Sequence, residues 1–77
     1  MRSYKLYETF DIVNQERYWW TQRDKKGRCY EIREKYYIND EFVKKSVFCL
    51  YCCDKFVGYY LSIFEAERAI HELWNKR

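Results

Sequence analysis

Proline is absent from this chain of 77 residues, and glycine occurs only at Gly27 and Gly58. That excludes long irregular loops and Pro-rich linkers, because both depend on residues that fix or relax unusual backbone angles. Histidine occurs once, at His71, so no histidine pair is available, and a metal set would have to join His71 to Cys29, Cys49 and Cys52. The longest apolar run, Val47 to Cys53, is far too short to cross a bilayer. Met1-Arg2-Ser3-Tyr4-Lys5 leads into alternating polar and apolar residues, not the apolar core of a secretory signal. The expected location is therefore the cytosol, with Cys29, Cys49, Cys52 and Cys53 reduced; secretion with two disulfides is the alternative that an even cysteine count leaves open.

What the chain has in excess is rings. Three Trp, nine Tyr and five Phe alternate with Lys and Arg. A domain this small needs large rings to build a core, and those left over beside basic residues form an adhesive surface. Fifteen basic and twelve acidic residues are interspersed, for a net charge of +3. Such a balance permits nucleic-acid or acidic-protein binding without requiring it. The excess of Lys, Tyr, Ile, Asn and Phe fits an AT-rich coding genome, of which a phage or mobile element is one source.

Period-two alternation organises most of the chain. Residues 4 to 13 read as a strand with Tyr4, Leu6, Phe10 and Ile12 on one face, followed by a turn at Asn14-Gln15-Glu16. Arg17 to Arg23 reads as a second strand, with Tyr18 and Trp20 opposite Arg17, Trp19, Thr21 and Arg23. Asp24-Lys25-Lys26-Gly27 has the chemistry of a type I turn closed by a left-handed glycine, and Arg28 to Ile38 returns as a third strand. Phe42 to Lys45 is ambiguous between strand and a helical turn. Val47 to Cys53 reads as an inner strand, Asp54-Lys55 as a two-residue turn, and Phe56 to Leu61 as a last strand that Gly58 weakens or bulges. Ser62-Ile63-Phe64-Glu65 fits a capping box. The stripe of Ile63, Ala66, Ile70, Leu73 and Trp74 then predicts a C-terminal helix lying on the sheet, with Lys76 and Arg77 at its negative end.

Residues of possible chemistry have plain structural readings. Cys49-Leu-Tyr-Cys52 has the spacing of a metal knuckle, but in a strand those two side chains point to opposite faces, so the thiols read as small hydrophobes and no metal or cofactor is expected. His71 reads as a partly exposed helix residue beside Glu67, and no spaced acid pair nominates an enzyme. Glu8 and Glu34 fall on the face assigned to the core, which calls for a register slip, a bulge or an arginine partner. The most suggestive stretch is Arg17 to Arg28, a predicted hairpin with five basic residues and one acid. A basic ribbon bearing rings can enter a major groove or support unstacked bases; its bland reading is a solvated hairpin with a charged tip.

Two stretches resemble the AP2-type DNA-binding domain and its relatives at the N-termini of phage and transposon integrases. One is Tyr18…Gln22-Arg23…Gly27-Arg28-Cys29-Tyr30-Glu31-Ile32-Arg33; the other is Val57-Gly58-Tyr59…Ser62-Ile63-Phe64-Glu65-Ala66-Glu67-Arg68-Ala69. The resemblance implies an antiparallel sheet on a C-terminal helix that reads the major groove with its open face, and places Arg23, Arg28 and Arg33 on that face. Cys29 stands where the family usually has tryptophan, and about twenty residues separate the matching blocks where the family has a short turn.

These readings converge on a single domain, residues 1–77, of α+β class: an antiparallel sheet of four or five strands with one C-terminal helix across one face. The expected core is Leu6, Phe10, Ile12, Trp20, Ile32, Phe48, Leu50, Phe56, Leu61, Ile63, Ala66, Ile70 and Leu73. The expected binding set is Arg17, Trp19, Arg23, Lys25, Lys26, Arg28, Arg33 and Tyr37, with Tyr51 also on the open face. The expected function is a non-enzymatic module that binds DNA through that face. The alternative is a small phage or mobile-element inhibitor that uses the same rings on a protein partner or in a homodimer.

Overall fold

The alternation resolves into five strands. In the computed structural model, which describes residues 5–75, they are β1 (Tyr7–Asp11), β2 (Glu16–Trp20), β3 (Tyr30–Ile38), β4 (Lys44–Cys52) and β5 (Lys55–Tyr60), followed by α1 (Ile63–Asn75). The strands form one antiparallel meander in the order β1-β2-β3-β4-β5, and α1 lies across one face against β3, β4 and β5. Phe42 to Lys45, ambiguous in sequence, straddles the turn between β3 and β4 and the start of β4. The readings made for Tyr4, Lys76 and Arg77 fall outside the described residues. Among the described residues no helix is long and apolar enough to cross a membrane.

Register decides which rings are buried. Trp19 stands opposite Ile32, and Ile32 opposite Leu50, which puts all three on the face toward α1. Tyr30, Ile32, Leu50 and Ile70 are fully buried there, with Trp19, Phe48 and Ala66 completing the core. The tryptophans are thus the reverse of the expectation: Trp19 is in the core and Trp20, opposite Glu31, is on the open face. A shift of one residue exchanges every side chain between faces, and two adjacent Trp give no hint of which way it goes.

Four other expected core residues are exposed. Phe10 is 55 % exposed because its edge strand lies beyond the strands that α1 covers, and Ile12 is 80 % exposed because β1 ends at Asp11 and leaves it in a turn. Phe56 lies on the open face because Tyr51 pairs with Phe56 while Leu50 pairs with Gly58, leaving Val57 as the extra residue of a bulge. Leu61 sits in the connection before the helix and is exposed.

With so little glycine, other residues must take left-handed turn positions. Gly27 does so at φ 78° in the expected turn, where its amide donates to the Asp24 carbonyl. Gln15, Phe42, Cys53 and Asp54 do so without being glycine. Cys53 and Asp54 together make the β4–β5 turn, one residue earlier than expected, with both φ values positive as a type I′ turn requires. At the helix start the Ser62 hydroxyl accepts from the Glu65 amide (3.2 Å), while Glu65 accepts from the Leu61 amide, one residue before the cap.

Phe42 combines a left-handed backbone (φ 62°) with 89 % exposure, so it carries strain without burial. Phe42→Gly is expected to raise stability by about 1 kcal/mol in urea unfolding, whereas Ile32→Ala in the sealed core should lower it by about 3 kcal/mol. A Phe42→Gly protein less stable than the parent would show that this ring packs in solution.

Candidate functional site

The face of the sheet away from α1 is open, and its residues follow from the register. β1 contributes Tyr7, Thr9 and Asp11; β2 contributes Glu16, Tyr18 and Trp20; β3 contributes Glu31, Arg33, Lys35 and Tyr37. Tyr51 comes from β4, and Phe56 and Tyr59 from β5. The rings form two ridges. On one, Trp20 stacks on Tyr7 with centroids 4.6 Å apart, and its indole N–H donates to the Thr9 hydroxyl at 3.0 Å. On the other, Phe56 meets Tyr51 edge-on at 5.8 Å, with exposed Tyr59 beyond.

The strip between the ridges is charged and internally neutralised. Arg33 donates from Nε to Glu31 (2.8 Å), places Nη1 3.3 Å from Asp11 and 3.6 Å from Glu16, and lies 4.7 Å from the Tyr18 ring centroid. Burial works against its charge. The hydrogen bonds and charges of Glu31 and Asp11 outweigh that and hold the guanidinium pKa above its ordinary value. Lys35 is bound by both oxygens of Glu16, at 2.9 and 3.1 Å. Asp11 is itself drawn below the usual carboxylate range, chiefly by the Asn14 amide hydrogen bond.

The other expected site residues are not gathered on this face. Trp19 is in the core, where its indole N–H donates to Glu8 at 3.0 Å. Arg17 also lies on the helix side. Its Nε and Nη2 donate to the two oxygens of Glu34 (2.9 and 3.2 Å), and its guanidinium lies 5.3 Å from the Trp19 ring centroid. The two glutamates that looked misplaced in the core thus have partners in place. Arg28 is turned to the helix as well: it binds Asp24 at 3.0 Å and donates to the Leu73 carbonyl at 3.1 Å, one of the last carbonyls of α1. Tyr30, beneath Arg28, has its hydroxyl pushed up to about 12 by burial. Arg23 donates to the Gly27 carbonyl at 2.6 Å and is exposed with Lys25 and Lys26 in the β2–β3 loop. Arg33, Tyr37 and Tyr51 are on the open face. Of the three arginines that the resemblance places there, it holds only Arg33.

Sequence reasoning missed Asp11, Glu16 and Glu31, the carboxylates that enclose Arg33. They come from three segments and meet only through the strand register. Cys49 stands opposite Arg33 and Cys52 opposite Tyr30, so they are on opposite faces as alternation requires. The Cys53 amide donates to the Cys29 carbonyl at 3.0 Å, which brings those two residues together at the end of the sheet. Among the described residues no cluster of His, Cys, Asp and Glu is close enough to hold a metal ion. The His71 ring adjoins the Asn75 amide on α1.

No family model, curated protein or solved structure matches this chain. Its geometry therefore carries the functional reading.

Glu34 is 4 % exposed, and the Arg17 hydrogen bonds hold its pKa below the ordinary glutamate value. A carboxyl lowered on folding stabilises above its unfolded pKa, and that contribution is lost as pH falls through the folded value. The urea midpoint should therefore fall between about pH 5 and about pH 3, and fall less steeply in Glu34→Gln. At neutral pH, Arg17→Ala should cost roughly 2–3 kcal/mol, since it strands a buried carboxylate whose partner is itself partly in water. Equal acid sensitivity in parent and Glu34→Gln would remove this pair from the account.

Proposed function

We propose that this chain is a non-enzymatic protein-binding module that presents the open sheet face to its partner. The observation that carries this reading is the enclosure of Arg33 by Asp11, Glu16 and Glu31. A surface that reads duplex DNA needs cations free to replace the counterions of phosphates. Here the central guanidinium and the neighbouring Lys35 are already committed to carboxylates of the same face. What the face offers outward is mainly rings: Tyr37, Phe56 and Tyr59 are each exposed, Trp20 and Tyr51 stand behind them half-buried, and Lys45, opposite Tyr37, is the exposed cation beside them. Exposed tyrosine and phenylalanine around a polar, salt-bridged centre match the composition of protein interfaces. An inhibitor that acts by occupying a partner's surface, as the phage-type reading of the sequence expects, requires nothing more than such a face. Its four free thiols fit the reducing cytosol.

Nucleic-acid binding is retained as a second reading on one observation, the exposed Arg23, Lys25 and Lys26 of the β2–β3 loop. Contact would then run through that loop and not through the sheet.

The two readings separate in one experiment on purified protein. Random duplex and single-stranded DNA should bind no tighter than about 10⁻⁶ M at physiological salt. Binding partners should instead be captured by the parent and by Arg23→Ala/Lys25→Ala/Lys26→Ala, and lost by Phe56→Ser/Tyr59→Ser, whose changes are on exposed rings. Submicromolar DNA binding that Arg33→Gln abolishes would overturn the protein-binding reading, and so would capture that survives the loss of both rings.

A further inference from the structure

Three of the chain's own arginines follow one pattern. Arg17 lies over the Trp19 ring with Glu34 as its carboxylate, Arg33 over Tyr18 with Glu31, and Arg28 over Tyr30 with Asp24. In each case a guanidinium sits between a ring face and a carboxylate. That arrangement suits it because the group is planar, weakly hydrated and able to donate in the ring plane while its face rests on the π cloud.

A further set of rings and a carboxylate on the open face, Trp20, Tyr51 and Asp54, holds no guanidinium; it adjoins Tyr18 and Glu31, which already hold Arg33. A cavity of about 290 Å³ opens at the end of the sheet where β2 and β3 diverge into their loop. Tyr18 and Trp20 line one side and Tyr51 the other; Cys29 and Glu31 lie between them, and Asp54 lies at the β4–β5 turn. The walls are held from outside the cavity. Trp20 is stacked on Tyr7 and tied to Thr9, and Tyr51 is braced by Phe56. Glu31 stands opposite both Trp20 and Tyr51, and the small Cys29 lies beside Cys53 nearer the end of the sheet. No lysine or arginine lines the cavity, and Asp54 has no ion-pair or side-chain hydrogen-bond partner among the described residues.

The geometry points to this cavity as the receptor for an arginine side chain of the protein partner, its guanidinium held between Trp20 and Tyr51 and paired with Asp54. Arginine is favoured over lysine because rings on two sides of the cavity suit a planar, weakly hydrated cation, and because the Asp54 carboxylate, with the Glu31 oxygen that does not accept from Arg33 Nε, offers acceptors to a fork of donors. This deepens the protein-binding reading and rests on it: it names the chemistry that the partner inserts.

The test uses a capped single arginine, N-acetyl-arginine N-methylamide, with the capped citrulline and lysine analogues as controls. Each is titrated into the full chain while the indole N–H of Trp20 and the amides of Cys29 and Asp54 are followed by NMR. The arginine compound should give saturable shifts at those positions with a millimolar dissociation constant. Citrulline, which keeps the shape and loses the charge, should bind at least tenfold more weakly, and lysine severalfold more weakly. Asp54→Asn should reduce arginine binding about fivefold. Asparagine tolerates the left-handed backbone of position 54, so an unchanged amide spectrum elsewhere would confirm that the fold is kept. Citrulline or lysine binding as well as arginine, shifts centred elsewhere, or an Asp54→Asn protein that binds normally would each overturn the assignment. Tyr59 does not line the cavity, whereas Phe56 braces its Tyr51 wall, so partner capture by Tyr59→Ser alone tests the face independently of the slot.

Discussion

A thirteen-residue helix spans about 20 Å, whereas strands β3 and β4, at nine residues each, run about 30 Å. One helix therefore cannot cover even one face of this sheet. It seals Tyr30, Ile32, Leu50 and Ile70, the part where side chains are fully buried, and stops short of the β3–β4 turn and of β1. The hydrophobic stabilisation is concentrated under α1. Tyr36, Ile38, Phe42 and Phe10 remain in water, and the molecule is drawn out to 43 × 24 × 20 Å. The opposite face has no cover among the described elements. Its composition is thus free to answer to something other than folding.

The arginines are the second organising feature. Each of Arg17, Arg28 and Arg33 is a structural clasp: the first joins β2 to β3, the second ties the β2–β3 loop to the end of α1, and the third gathers carboxylates from β1, β2 and β3. A net charge of +3 consequently says little about which cations are available to a ligand. The clasped ones are largely withdrawn from the surface potential; those left over include Arg23, Lys25 and Lys26 in the β2–β3 loop and the exposed Lys45, Lys55 and Arg68 elsewhere. The open face is accordingly aromatic with a neutralised centre. The same chemistry explains why an empty pairing of rings and carboxylate on that face selects for a guanidinium.

Much of the architecture was legible in the sequence because it depends on local periodicity. Alternation gave the strands, the Asp24-to-Gly27 turn and the Ser62 cap gave two boundaries, and the apolar stripe gave the helix that covers the sheet. What was not legible depends on partners far along the chain. Trp19 and Trp20 are chemically equivalent choices until Ile32 and Glu31 are placed opposite them. Phe56 reaches the open face through a bulge at Val57 that no residue type announces. The β4–β5 turn falls one residue earlier than Asp54-Lys55 because Cys53, which is not a residue that signals a left-handed backbone, takes its first position. Arg33 could be assigned to the open face by parity alone, but its three carboxylates become neighbours only in the assembled sheet.

The central claim is that the guanidinium at the middle of the open face is occupied by its own carboxylates and unavailable to phosphate. The direct measurement is an NMR titration of the arginine Nε–H resonances with a short DNA duplex. An enclosed Arg33 should give a sharp, exchange-protected Nε–H signal that the duplex leaves unmoved, while any perturbation is confined to Arg23 and the loop lysines. An Arg33 signal averaged with solvent in the free protein and shifted by the duplex would contradict the account.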